Sequence, residues 1–213
     1  MELTTFKKYI SKIVTEGNRL QKHNINGELV VKGKFTPTQY ISFFIAALCI
    51  YFLPTGFSDS FAGYIISFLG IFVGLFVGIV ISMFDKSKTL LEGFSDQDQP
   101  DKVRARQVRN YLVQFNGITS YAILLAIVII ILLSISLLNS KLQTNIWKFP
   151  VISSFKQITL ESILRFFKIF AVILQRFFVI YFLLNFFVLT IFSITSYFSY
   201  LSSEYKKIKP GND

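Results

Sequence analysis

Apolar residues along this chain fall into two patterns, a helical stripe near the N-terminus and long unbroken runs after it. Leu3, Phe6, Ile10, Ile13, Val14, Gly17 and Leu20 recur at helical spacing, while Lys7, Lys8, Lys12, Arg19 and Lys22 fall largely on the remaining surface. The spacing predicts a basic amphipathic helix over 3–22. Such a helix either lies in the headgroup layer of an anionic leaflet or packs against another cytoplasmic element, and the sequence leaves both open. Asn26-Gly27 then marks a turn, and Glu28 to Lys32 predicts a short strand.

Long apolar runs follow. A bilayer core about 30 Å thick needs roughly 20 apolar residues at 1.5 Å rise. Thr36-Pro37 starts a helix, with Thr as N-cap and Pro at the first helical position, and Tyr40 to Leu53 carries no charge before Pro54 stops it. This run is short for a span. The linker Thr55 to Ser58 lacks Lys and Arg, Ser58 or Asp59 caps the next helix, and Ser60 to Phe84 is again uncharged, so the pair predicts a tight hairpin. Pro100 starts a helix whose Val103, Val108, Tyr111, Leu112 and Phe115 share one side while Lys102, Arg106 and Arg109 share another. That pattern predicts a helix running along the membrane before the third span, Ile118 to Leu138.

The last apolar stretch, Ile158 to Leu201, is interrupted by Glu161, Arg165, Lys168 and Arg176. Near the bilayer centre each such charge costs roughly 2.5–3.5 kcal/mol. The stretch is therefore divided at Arg176, into an amphipathic interfacial helix (158–175) and a clean span (177–200). Trp147-Lys148-Phe149-Pro150 just before it reads as an interfacial anchor.

The organisation expected is all-α and polytopic, with four transmembrane helices plus amphipathic interfacial helices. Residues 1–36 form a cytoplasmic basic segment, 37–84 the transmembrane hairpin and 85–116 a cytoplasmic connection with its basic helix. The third span is 117–139, an external loop with an interfacial helix is 140–176, the fourth span is 177–201 and a cytoplasmic tail is 202–213.

Composition strengthens the membrane reading: 53% of the 213 residues are apolar and 25 are Phe, too much hydrocarbon for a soluble domain of this size to hide. Nothing in the first 35 residues resembles the apolar core or cleavage site of a secretory signal peptide. Seven basic residues precede the first run, six lie in the second connection, three in the tail and none in the hairpin linker. The positive-inside rule then places both termini in the cytoplasm, in a bacterial inner membrane if the Phe-, Ile-, Lys- and Asn-rich usage reflects an A/T-rich gene. A net charge of +10 fits an anionic lipid surface better than nucleic acid, and no direct nucleic-acid binding is expected.

The sharpest pattern is Gly70, Gly74, Gly78 and Ser82, small residues at every fourth position of the second run. Such a strip lets another backbone approach closely in lipid, where hydrophobic attraction cannot drive association. It seats a helix of the same chain, forms a homo-oligomer interface, or walls a pore. Lys102, Arg106 and Arg109 are either a solvated face or a surface for lipid phosphates or a cytosolic partner. Glu161, Arg165, Lys168 and Arg176 either snorkel at the outer interface or line a vestibule.

Other chemistry is excluded on residue types. One Cys and one His, Cys49 and His23, cannot build a Cys/His metal site, no cofactor motif occurs, and no nucleophile-base pair is evident, so no enzyme activity is expected. Charge-coupled transport lacks coupling residues within the spans. Asn185, the one amide in a span, is expected to bond across helices.

Four spans, a hairpin whose Gly70/Gly74/Gly78 strip ends in Met83-Phe84-Asp85-Lys86, and a basic inner connection make residues 36–201 similar to the small four-span membrane subunits of bacterial anti-phage systems, such as the Kiwa membrane subunit. The resemblance is architectural and carries over no functional residue. It implies a homo-oligomer that senses phage-induced perturbation and works with a cytosolic DNA-binding effector. An ion-conducting pore or membrane-disrupting effector is the competing expectation.

Overall fold

The computed structural model describes residues 3–24, 28–92, 99–138, 145–146 and 160–208. Its described residues form five helices: α1 (Leu3–Leu20), α2 (Pro37–Phe52), α3 (Asp59–Glu92), α4 (Gln99–Leu138) and α5 (Leu160–Ile208). Local chemistry accounts for several ends. Thr36-Pro37 opens α2, and at α3 the amide of Phe61 donates to Ser58 Oγ at 3.2 Å, so Ser58 is the N-cap of the two candidates, Ser58 and Asp59.

Three helices are long and apolar enough to cross a membrane, over Asp59–Asp85, Arg106–Leu138 and Phe166–Ser199. The 16 residues of α2 reach about 24 Å at 1.5 Å rise, less than a bilayer core.

Two expected divisions are absent. α5 continues unbroken through Arg176, with no Gly or Pro anywhere in its 49 residues, so helices 158–175 and 177–200 are one element. α4 likewise runs 40 residues from the basic segment into the apolar one, so the basic helix is the start of the second long helix and not a separate element. α3 also extends past Phe84 into the expected connection. The predicted strand at 28–32 is reduced to one bridge, His23 with Leu29, because a lone two-stranded pair has no sheet to support it. The Asn26-Gly27 turn and the Trp147 anchor lie outside the described residues.

The chain divides into two compact units, Met1–Thr36 with Phe72–Leu124 and Phe186–Asp213, and Pro37–Ile71 with Leu125–Asn185. In the first, Met83 of α3 packs with Val108, Leu112 and Phe115 of α4, and Tyr197 and Leu201 of α5 lean on that cluster. The predicted apolar side of the basic helix is thus covered by protein. Phe72 meets Phe186 edge to face at 4.5 Å, and the hydroxyls of Thr119 and Ser193 bond across α4 and α5. In the second unit, Phe43 of α2 packs edge to face on Phe177 of α5 at 5.0 Å.

Along α4 the buried residues Val108, Leu112, Phe115, Thr119, Ala122, Ala126, Ile129, Leu133 and Ser136 alternate spacings of four and three, the period of knobs-into-holes packing.

Candidate functional site

A helix ends with four main-chain carbonyls that have no intrahelical partner, and α2 ends at Phe52 because Pro54 cannot continue it. The turn that follows presents two further carbonyls, those of Leu53 and Pro54, and these are met from α5. Arg176, 2% exposed, donates from Nη1 to the carbonyl of Pro54 at 2.8 Å and lies 3.5 Å from that of Leu53. The amide of Ile146 donates to the same Pro54 oxygen at 3.0 Å. Gly56 makes room: its φ of +87° suits glycine, and a Cβ there would lie 2.9 Å from Nη2 of Arg176. Guanidinium bonds to carbonyls are charge-assisted, so one side chain ties the turn after α2 to α5 while the Pro54 carbonyl offsets part of the burial of its charge.

This corrects the expectation for Arg176, which neither snorkels at a surface nor lines a vestibule. Lys168 is exposed, Arg176 is buried, and the side chains of Glu161 and Arg165 lie outside the described residues. Asn185 differs too, because its amide donates to the Tyr181 carbonyl of its own helix at 2.8 Å.

The surface is inverted relative to a protein folded in water. On α2 the buried side chains are Gln39, Ser42 and Ala46, whereas Tyr40, Ile41, Phe43, Phe44, Leu48, Tyr51 and Phe52 face outward. Exposed apolar residues recur along α3, α4 and α5, among them Ile71, Leu75, Phe84, Ile131, Phe166, Phe170, Ile191 and Phe198. Soluble monomers rarely show contiguous apolar surface on this scale.

Gly70, Gly74, Gly78 and Ser82 all lie on this outer surface. A Cβ built at Gly70, Gly74 or Gly78 meets no atom within 4 Å, so no helix of the same chain is seated on the strip among the described residues. α3 is also the least covered of the long helices, with 11% of its most apolar window buried against 33% for α4 and 28% for α5. Arg106 and Arg109 are exposed, opposite the packed Val108, Leu112 and Phe115, and the side chain of Lys102 is outside the described residues.

Sequence reasoning missed a lock between α1 and α4. A Cβ on Gly17 would lie 2.6 Å from Tyr121 Cβ, and one on Gly117 would strike Leu20 Cδ1. Each helix omits a side chain where the other presents a large one. Gln114, buried beside them, donates to the carbonyls of Leu20 at 3.2 Å and His23 at 3.1 Å, closing the end of α1. Gly17 within an apolar stripe was the available signal.

These features define an all-helical chain of membrane type, with three helices fit to cross a bilayer. Compared with family models, curated proteins and solved structures, the chain matches none.

Proposed function

We propose that this protein is a non-enzymatic, multi-pass membrane subunit that self-associates through the small-residue strip of α3 and acts as a sensor or scaffold for a cytosolic effector. The observation that carries the reading is that Gly70, Gly74 and Gly78 face outward with none of the described residues of their own chain against them, on the least covered long helix. In lipid such a strip gains by close packing against another helix. The short α2 is read as a fourth, shallow membrane segment: Arg176 satisfies the Pro54 carbonyl in the turn just past its end, which a longer span would deliver to water. Both termini face the cytoplasm in this reading, and exposed Arg106 and Arg109 offer the effector a basic surface. A role in anti-phage defence, in a bacterial inner membrane, rests on the resemblance to four-span defence subunits alone.

The test is the assembly size of the purified chain in nanodiscs or mild detergent, measured by light scattering and by cross-linking. Gly74→Leu is expected to lower the assembly size without unfolding the subunit, because the added side chain meets open space within one chain. An unchanged size sinks the interface. Ion leak from liposomes holding the protein alone would favour a pore over a scaffold.

A further inference from the structure

The two halves of α1 are treated differently by the fold. At its C-terminal end, Gly17 and Leu20 are buried against Tyr121 and Gly117 of α4. At its N-terminal end, Leu3 is 84%, Phe6 53% and Tyr9 57% exposed. Leu3, Phe6, Ile10, Ile13, Val14, Gly17 and Leu20 form one continuous stripe, and Tyr9 borders it, so the uncovered residues prolong the face that α4 covers further along.

The contacts give that half a direction. Stepping from Leu20 back to Gly17 on α1 moves the contact from Gly117 forward to Tyr121 on α4. The two helices therefore run antiparallel at this contact, which lies on the stretch of α4 that holds no charge between Arg109 and Lys141. Lys7, Lys8 and Lys12 are exposed beside the bare stripe or opposite it. Glu16 is the single acidic residue within α1, and Arg19 pairs with it at 2.8 Å. A bare apolar half-stripe flanked by lysines that pair with no acidic side chain among the described residues matches one surface, the headgroup layer of an anionic leaflet.

We infer that the N-terminal half of α1 docks on anionic phospholipid, with Leu3, Phe6 and Tyr9 at the acyl boundary and Lys7, Lys8 and Lys12 among the phosphates. This rests on the reading of α3, α4 and α5 as membrane-crossing, and the experiment separates the two. In a Cys49→Ser background, an environment-sensitive fluorophore is attached at Phe6→Cys, at Ser11→Cys on the polar side of α1, or at Leu75→Cys on the outer face of α3. Each full-length variant is reconstituted into vesicles of phosphatidylcholine, alone or mixed with phosphatidylglycerol, with brominated acyl chains as quencher.

Docking predicts quenching at the Phe6 and Leu75 positions and little at Ser11. Quenching at Phe6, but not at Leu75, should weaken without phosphatidylglycerol. Lys7→Gln, Lys8→Gln and Lys12→Gln together should lower the docking equilibrium by on the order of a hundredfold, since each basic residue near an anionic surface contributes about a factor of five. An unquenched Phe6 label beside a quenched Leu75 label overturns lipid docking and leaves the spans standing. A Phe6 label that is blue-shifted yet unquenched also overturns it, showing that a second copy or another protein covers the stripe. Loss of quenching at Leu75 as well overturns the membrane reading beneath it.

Discussion

Arg176 Nη1 and the carbonyl oxygen of Pro54 are 2.8 Å apart, joining a buried charge to the end of a helix that is short for a bilayer. Either feature alone is unfavourable in a low-dielectric setting, and each removes the other's cost. Bonds to charged groups contribute about 1.5–3 kcal/mol each, and a carbonyl left bare in lipid costs several more. Arg176→Met, which keeps the length and removes the donors, is expected to destabilise the protein by about 2–4 kcal/mol in reversible unfolding from mixed micelles. Arg176→Lys should fall between, because one ammonium still reaches Pro54. A methionine variant as stable as the parent would show that the clasp contributes nothing.

Gly56 is coupled to the same contact. Its φ of +87° costs an ordinary residue about 1–2 kcal/mol, and its Cβ would crowd Nη2 of Arg176 at 2.9 Å. Gly56→Ala is expected to lose more than the backbone term alone. In the Arg176→Met background that excess should vanish, leaving a coupling energy of about 1 kcal/mol in a double-mutant cycle. Strict additivity would mean that Gly56 serves only the turn.

How far the sequence was legible follows from which signals are local. The Thr36-Pro37 start and the Pro54 stop depend on neighbours in the chain and were read correctly, and of the two caps left open, Ser58 and Asp59, the structure uses Ser58. The packed side of the basic helix was also legible, because Val108, Leu112 and Phe115 stand out against polar surroundings. The seam of α4 from Thr119 to Ser136 was not, since its outer face is just as apolar and periodicity has no contrast to show. Arg176 misled for a different reason. A charge was weighed against hydrocarbon, but its partners are carbonyls more than 120 positions away, and no count of charges contains them. The outward-facing strip was legible as a pattern, and only the fold showed that no helix of its own chain lies on it.

The bond between Thr119 and Ser193 should matter less than its burial suggests. Both hydroxyls are inside the first unit, where a lost partner would seem costly. Hydrogen bonds between membrane helices nonetheless average about 0.6 kcal/mol, because hydroxyls of the unfolded chain also find partners in the bilayer. Thr119→Val keeps the shape and removes the hydroxyl, and is expected to cost under about 1.5 kcal/mol in the same unfolding assay. A loss several times larger would mean that Ser193 is left without any alternative.

The lock between α1 and α4 gives the most discriminating pair of substitutions. A methyl on Gly17 would meet Cβ, Cγ and Cδ1 of Tyr121 at 2.6, 2.7 and 2.8 Å, atoms close to the α4 backbone that move only if the helices part. A methyl on Gly117 meets the far end of Leu20, which can change rotamer. Overpacking typically costs about 1–3 kcal/mol, and the two sites should fall at opposite ends of that range. Gly17→Ala is expected to release α1, seen as rapid trypsin cleavage at Lys7, Lys8 and Lys12 and as labelling of Leu20→Cys in a Cys49→Ser background. Gly117→Ala should leave protection nearly intact. Gln114→Ala, which strips the bonds to the Leu20 and His23 carbonyls, should give an intermediate result of about 1–2 kcal/mol. If Gly117→Ala released α1 as readily as Gly17→Ala, the seat would depend on Leu20 and not on the contact between Gly17 and Tyr121.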